Sequence, residues 1–126
     1  MTKRTVAVVG ASGDRSKYSN KAIRAYLHEG WDVFPINPKG GVIEGLTVAT
    51  SVAQVPVKID RVSLYLPPSV GVNMLDEIAA AHPAEFYVNP GAESDVLVDK
   101  ARGLGLDPIL ACSIVEIGVT PSQFPD

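Results

Sequence analysis

The stretch Val6-Ala7-Val8-Val9-Gly10-Ala11-Ser12-Gly13 decides how the rest of the chain is read. With Thr5 it is β-branched and almost continuously apolar as far as Val9. A strand buried on both faces has this composition, as in a parallel sheet covered by helices. The chain then turns abruptly small and polar, from Gly10 to Ser19. Glycines at the end of such a strand let a phosphate-bearing ligand approach the backbone, and the helix that follows turns unpaired N–H groups towards it.

Working outward, the same alternation repeats. A helix is predicted from about Asn20 to Glu29, with Ala22, Ile23, Tyr26 and Leu27 as its apolar stripe and Gly30 as its stop. Trp31 to Ile36 reads as the second strand, stopped by Asn37-Pro38-Lys39-Gly40-Gly41. Val42 to Leu46 reads as a short extended piece, and Ser51 to Pro56 as at most one helical turn. Asp60 to Leu66 is the third strand, ended by Pro67-Pro68, with Ser69 as N-cap of a helix reaching about Ala81 and turning Leu75, Ile78 and Ala79 inward. Glu85 to Val88 is the fourth strand. A helix over Ser94 to Leu104, with Leu97, Ala101 and Leu104 inward, and a fifth strand over Asp107 to Ala111 follow. The remainder, Cys112 to Asp126, is expected to wrap the surface.

Strands alternating with helices imply right-handed crossovers and a doubly wound α/β architecture. The expected fold is a Rossmann-like, five-stranded parallel sheet in the order 3-2-1-4-5, as one domain over residues 1–126. Ligands of such sheets bind beyond the carboxyl ends of the strands, where the order reverses.

Composition narrows the partners. The 126 residues are 46% hydrophobic and 20% charged, as in a globular domain. A net charge of -3 argues against nucleic acid or an anionic membrane as the main partner. The apolar run after Met1-Thr2-Lys3-Arg4 is too short for a secretory signal, and no run approaches a membrane span. Cys112 is the only cysteine, which rules out an internal disulfide and fits a reducing compartment. A soluble, cytoplasmic protein is the expectation.

The chemistry lies at the predicted strand exits. Gly10, Ala11, Ser12 and Gly13 offer an open backbone and one hydroxyl, while Lys17 and Ser19 add a charge and a hydrogen-bonding group in the same loop. The G-x-G-x-x-G fingerprint is not met, because Ser12 stands at the second glycine. An NAD site usually has Asp or Glu about 20 residues further on, holding the ribose. Here that position reads Asn37-Pro38-Lys39. A lysine attracts a phosphorylated ribose, which leaves NADP or the 3′-phosphorylated adenosine of coenzyme A.

Val-Val-Gly-Ala-Ser at 8–12, Val-Phe-Pro-Ile-Asn-Pro-Lys at 33–39 and the prolines after the third strand together resemble the CoA-binding domain proteins. These are small proteins similar to the nucleotide-binding domain of the succinyl-CoA synthetase alpha subunit, and the likeness runs from Thr5 to about Glu116. The resemblance implies a Rossmann-like fold holding coenzyme A or an acyl-CoA. It sets Gly10 to Gly13 at the phosphates and Asn37, Pro38 and Lys39 at the adenosine end. Leu66, Pro67 and Pro68 then edge the ligand's path. The sequence departs from the family pattern twice: Leu66 replaces an arginine, and Val88-Asn89-Pro90-Gly91 replaces apolar-Gln-x-Gly.

No nucleophile–base pair is apparent, so a stand-alone binding module without catalysis is expected. An NADP-linked oxidoreductase or fragment, and a nucleotide-responsive regulatory protein, are the alternatives. Cys112 is read as an inert thiol that could instead lie near the pantetheine end. His28 and His82 are read as structural, Tyr65 as a packing residue, and Glu116 receives no role. No metal site is expected.

Overall fold

A computed structural model describes residues 3–126; the reading of residues 1 and 2 lies outside it. Among these residues the strands are β1 Thr5–Val9, β2 Asp32–Ile36, β3 Val42–Ile43, β4 Leu46–Thr47, β5 Arg61–Leu64, β6 Glu85–Val88 and β7 Pro108–Leu110. Five form one parallel sheet in the order β2-β1-β5-β6-β7, while β3 and β4 make a small antiparallel hairpin. The helices are α1 Tyr18–His28, α2 Pro68–Gly71, α3 Leu75–Ala80, α4 Asp95–Gly103 and α5 Ser113–Glu116.

The sheet is α/β, parallel and Rossmann-like, as expected, but the strand order differs. The third long strand, β5, lies beside β1 and not outside β2. Pro35 supplies the physical reason. It sits inside β2 and lacks a donor, so β2 belongs at an edge, where no further strand needs its N–H. The chain folds back to leave a single bridge, Ile36 with Ala49, and Ala49 N–H donates to the Pro35 carbonyl at 3.0 Å. The order therefore reverses between β1 and β5, and the ligand crevice is expected there.

All five residues of β1 are buried, and their side chains alternate between two cores. Ala7, Val9, Val62, Leu64, Phe86 and Val88 face α3, α4 and the turn at Val52–Gln54. Val6, Val8 and Val33 face α1 and α5. On α1 the buried stripe is Ala22, Ile23, Ala25 and Tyr26; Leu27 is exposed. Leu75, Ile78, Leu97 and Ala101 are inward as read, whereas Ala79 is only partly covered and Leu104 is exposed at the α4 C-cap.

Two local readings are corrected. The long helix predicted from Ser69 is instead α2, a 3-10 turn at Val72–Met74 and α3. Pro67 occupies the N-cap of α2 and Pro68 its first turn, a position that suits proline because no donor is needed there. The C-terminal stretch is not a surface wrap. Ile114 and Ser113 are fully buried, and Val119 joins the same core. Lys21 and Arg24 of α1 donate to the Phe124 and Pro125 carbonyls, which ties residues 124–126 to the helix.

At the amino end of β5, Arg61 is the largest fully buried side chain. Its Nε and Nη2 form a bidentate pair with Glu85 Oε1 and Oε2, at 3.2 and 2.9 Å, and it makes a second ion pair with Glu116 of α5. Its guanidinium lies 4.9 Å from the Trp31 ring and 4.4 Å from the Tyr87 ring. Arg4 also pairs with Glu85. Burial alone would raise the Glu85 carboxyl; the hydrogen bonds and charge of Arg61, with Arg4, outweigh it and hold the group below its usual range. A lowered carboxyl stabilises the fold above its unfolded value of about 4.3, and that contribution is lost as pH falls through the folded value. Urea midpoints should therefore drop in acid. Glu85→Gln should cost stability at neutral pH and flatten the acid limb; an unchanged limb would exclude Glu85 as its source.

Candidate functional site

The turn after β1 is held against β2. The N–H groups of Gly10 and Ala11 both donate to the Ile36 carbonyl, at 3.2 and 3.1 Å. Asn37 completes the join. Its Nδ2 donates to the Ala11 carbonyl at 2.8 Å, and its Oδ1 accepts from the Lys39 N–H at 2.8 Å. The Asn37 amide is thus spent on the backbone, where it fixes the direction of Lys39.

Gly10 has φ +89°, and a Cβ there would lie 3.0 Å from the Leu66 side chain and 3.2 Å from the Tyr65 carbonyl carbon. Leu66 consequently forms an apolar wall directly over the glycine turn. Ser12 Oγ accepts from the Asp14 N–H, and the Ser12 carbonyl accepts from Asn20 Nδ2. Asn20 is fully buried and also orders Arg24 and Glu44. These bonds shape the loop that leads into α1.

Helix α1 begins with Lys17 in the N-cap position and no side-chain cap. A lysine has no acceptor to offer. The first N–H groups of the helix, those of Tyr18 and Ser19, have no intrahelical partner. No acidic residue occupies its first turn. The positive end of the helix is left for an external acceptor.

Around this turn lies a cleft of about 610 Å³ that spans four strand exits. Gly10, Ala11 and Ser12 come from β1, Asn37 and Lys39 from β2, Tyr65, Leu66 and Pro67 from β5, and Pro90, Gly91 and Ala92 from β6. Lys17, Tyr18 and Ser19 close it from α1. Among the described residues, two lysines and no carboxylate line it. Of the residues singled out from the sequence, Gly10, Ala11, Ser12, Lys17, Ser19, Asn37, Lys39, Leu66 and Pro67 come together here. Gly13, Pro38 and Pro68 do not line the cleft. A Cβ on Gly13 would meet nothing within 4 Å.

Sequence reasoning missed Tyr18 and Ala92, read Tyr65 as a packing residue, and read Pro90 and Gly91 as a strand exit without making them site residues. Tyr65 lies beyond β5, where it lines the cleft with its hydroxyl 3.3 Å from Ser113 Oγ. Burial pushes that phenol well above its ordinary range and keeps it neutral. Asn89 was legible only as a turn residue. Its amide donates to Ser63 Oγ and the Leu64 carbonyl and accepts from the Ser113 N–H at 2.9 Å. That buried crosslink joins β5, β6 and α5 beneath the cleft, and it accounts for an amide at this strand exit. Glu116 pairs with Arg61 at the other end of the sheet. His28 lies edge-on to Phe124, and the His82 carbonyl accepts from Lys58.

A parallel sheet whose order reverses at a glycine turn, with an open helix start beside it, defines a Rossmann-like α/β domain. The chain belongs to the CoA binding domain family, which matches residues 4–118. It is similar to a conserved hypothetical protein from Pyrococcus furiosus at 33% identity, over 90% of this chain and 98% of that one, with a TM-score of 0.82. A Thermus thermophilus protein is 25% identical over 90% of this chain and 87% of that one, with a TM-score of 0.80. A dinucleotide-forming acetyl-coenzyme A synthetase 1 from Ca. Korarchaeum cryptofilum, solved with phosphate and ADP, is 29% identical, with a TM-score of 0.73. That likeness covers 83% of this chain but only 25% of the synthetase. Among the described residues, no helix is long and apolar enough to cross a membrane.

Proposed function

We propose that the cleft binds coenzyme A or an acyl-CoA, and that the protein is a binding module without catalysis of its own. One observation carries this: the uncapped start of α1 and the lysines Lys17 and Lys39 line one cleft, and among the described residues no carboxylate lines it. The diphosphate lies over Gly10 to Ser12, with Lys17 and the Tyr18 and Ser19 N–H groups as its partners. The 3′-phosphate is met by Lys39. The pantetheine arm passes Leu66 and Pro67. Leu66 supplies an apolar edge where an arginine would supply charge, so the phosphates rest on the two lysines and the helix start alone. The lining includes no imidazole and no carboxylate to serve as a base. The same reading places the protein in the reducing cytoplasm.

NADP carries a phosphorylated ribose too, so calorimetry should compare CoA, dephospho-CoA, NADP and NAD. Binding of NADP with no response to CoA would overturn the proposal. Lys39→Ala should weaken CoA about 3- to 10-fold, the range of a partly exposed charged hydrogen bond. Dephospho-CoA should lose much less. Equal losses would show that Lys39 does not read the 3′-phosphate.

A further inference from the structure

A second cavity of about 230 Å³ adjoins the cleft. Tyr18, Tyr65 and Pro90 line both spaces, and Cys112, Ile114 and Pro121 form its far wall. Asn89 also lines it, with its amide already engaged by Ser63, Leu64 and Ser113. No lining residue carries a formal charge. We propose that this chamber receives the thioester end of an acyl-CoA, and that it selects a short, uncharged acyl group. The proposal rests on the CoA reading of the cleft and assigns the opposite end of the same ligand.

Strand order supports the placement. Lys39 follows β2 and Cys112 follows β7, the two ends of the row β2-β1-β5-β6-β7. Four steps of ~4.8 Å separate them, about 19 Å in all. A ligand held by its 3′-phosphate at the β2 exit and its diphosphate at the β1 exit must then cross the β5 exit at Leu66 and Pro67. Pro90, at the β6 exit, comes next, and the chamber lies beyond. The sub-sites thus fall in the order of the ligand's own parts.

Size and chemistry narrow the acyl group. At the ~30 Å³ that one water occupies in the liquid, 230 Å³ holds roughly seven non-hydrogen atoms. That accommodates the sulfur, the thioester and an acyl chain of a few carbons. A terminal carboxylate, as in a succinyl group, would lie among proline, isoleucine and tyrosine with no cation to pair it. Burying a charge unpaired is costly, so such groups are excluded.

Calorimetric titration of the intact protein with CoA, acetyl-CoA, butyryl-CoA, succinyl-CoA and palmitoyl-CoA tests this. Butyryl-CoA should bind about tenfold tighter than CoA, since its acyl carbons leave water for the chamber, a gain partly offset by ordering the chain. Succinyl-CoA and palmitoyl-CoA should gain nothing over CoA. Cys112→Phe, which fills the chamber, should cost butyryl-CoA more than it costs CoA. The wild-type series reads the preference even if that variant fails to fold. A flat series with CoA bound, or a preference for succinyl-CoA, would overturn the chamber and leave the CoA reading standing. Failure of every member to bind would overturn both.

Discussion

Arg61→Ala is expected to lower the unfolding free energy by about 3 kcal/mol, read as a fall in the urea midpoint at unchanged slope. The side chain is fully buried and makes contacts of three kinds. Its guanidinium bonds Glu85 and Glu116 and donates to the Tyr26 hydroxyl at 3.3 Å. It stacks against Trp31 and Tyr87, where a desolvated cation and ring gain ~2 kcal/mol. It also fills volume in a close-packed core. Alanine leaves a void, a Tyr26 hydroxyl without its guanidinium donor and two carboxylates without their shared cation. The carboxylates are partly exposed, so water meets some of their need and the loss stays at the lower end of what breaking a buried pair costs. Arg61→Lys should recover little of it, because one ammonium cannot bridge two carboxylates and stack on two rings. Arg61→Met keeps most of the volume without the charge, and its loss should be smaller than that of alanine. A loss below about 1 kcal/mol for alanine would mean that the network contributes no more than a surface pair.

Gly10→Val should have the largest effect on the cleft. Two independent costs add. The backbone at φ +89° is one that residues with a Cβ rarely adopt. The new Cβ also meets Leu66 at 3.0 Å and the Tyr65 backbone at 3.2 Å. Leu66 is able to turn, but the backbone is not. Together these should cost about 2–3 kcal/mol of stability, within the range for a strained non-glycine residue. On the proposed reading, CoA affinity should fall more than tenfold as the valine methyls enter the glycine turn, a loss of over ~1.4 kcal/mol in binding. Gly13→Ala is the internal control. It has ordinary φ and open space at Cβ, so its stability should stay within ~0.5 kcal/mol of wild type. Thermal melts and CoA titration of the pair read both effects. Similar behaviour of the two variants would refute the argument from Gly10.

The repeating pattern of apolar strand and amphipathic helix was readable because both signals are local. The five long strands, most of their exits and the meeting of Gly10 with Lys39 follow from it. Strand order did not, because periodicity reports what an element is and not which neighbour it takes. Pro35 was the one residue that spoke to order, and its meaning emerges only once β2 is asked to be an interior strand. The alternation of Val62, Leu64 and Leu66 with Arg61, Ser63 and Tyr65 does not by itself say which side chains meet water. With helices on both faces, alternation separates two cores and does not separate core from water. Arg61 and Ser63 are therefore buried with their partners. The segment after Cys112 was opaque for another reason. A helix of four residues, Ser113–Glu116, is too short to display a period, so the burial of Ile114 left no trace in spacing.

The two borders of the sheet have a bearing on behaviour at high concentration. An open strand edge invites another chain to add itself, which is how sheets seed aggregates. Along β2 this is blocked by a residue without a donor and by Ala49, already bonded to Pro35 and Asn37. Along β7 the offered edge is three residues long and begins with Pro108. Neither border presents a run long enough to template a foreign strand, so a doubly wound sheet of this size stays finite when copies crowd together.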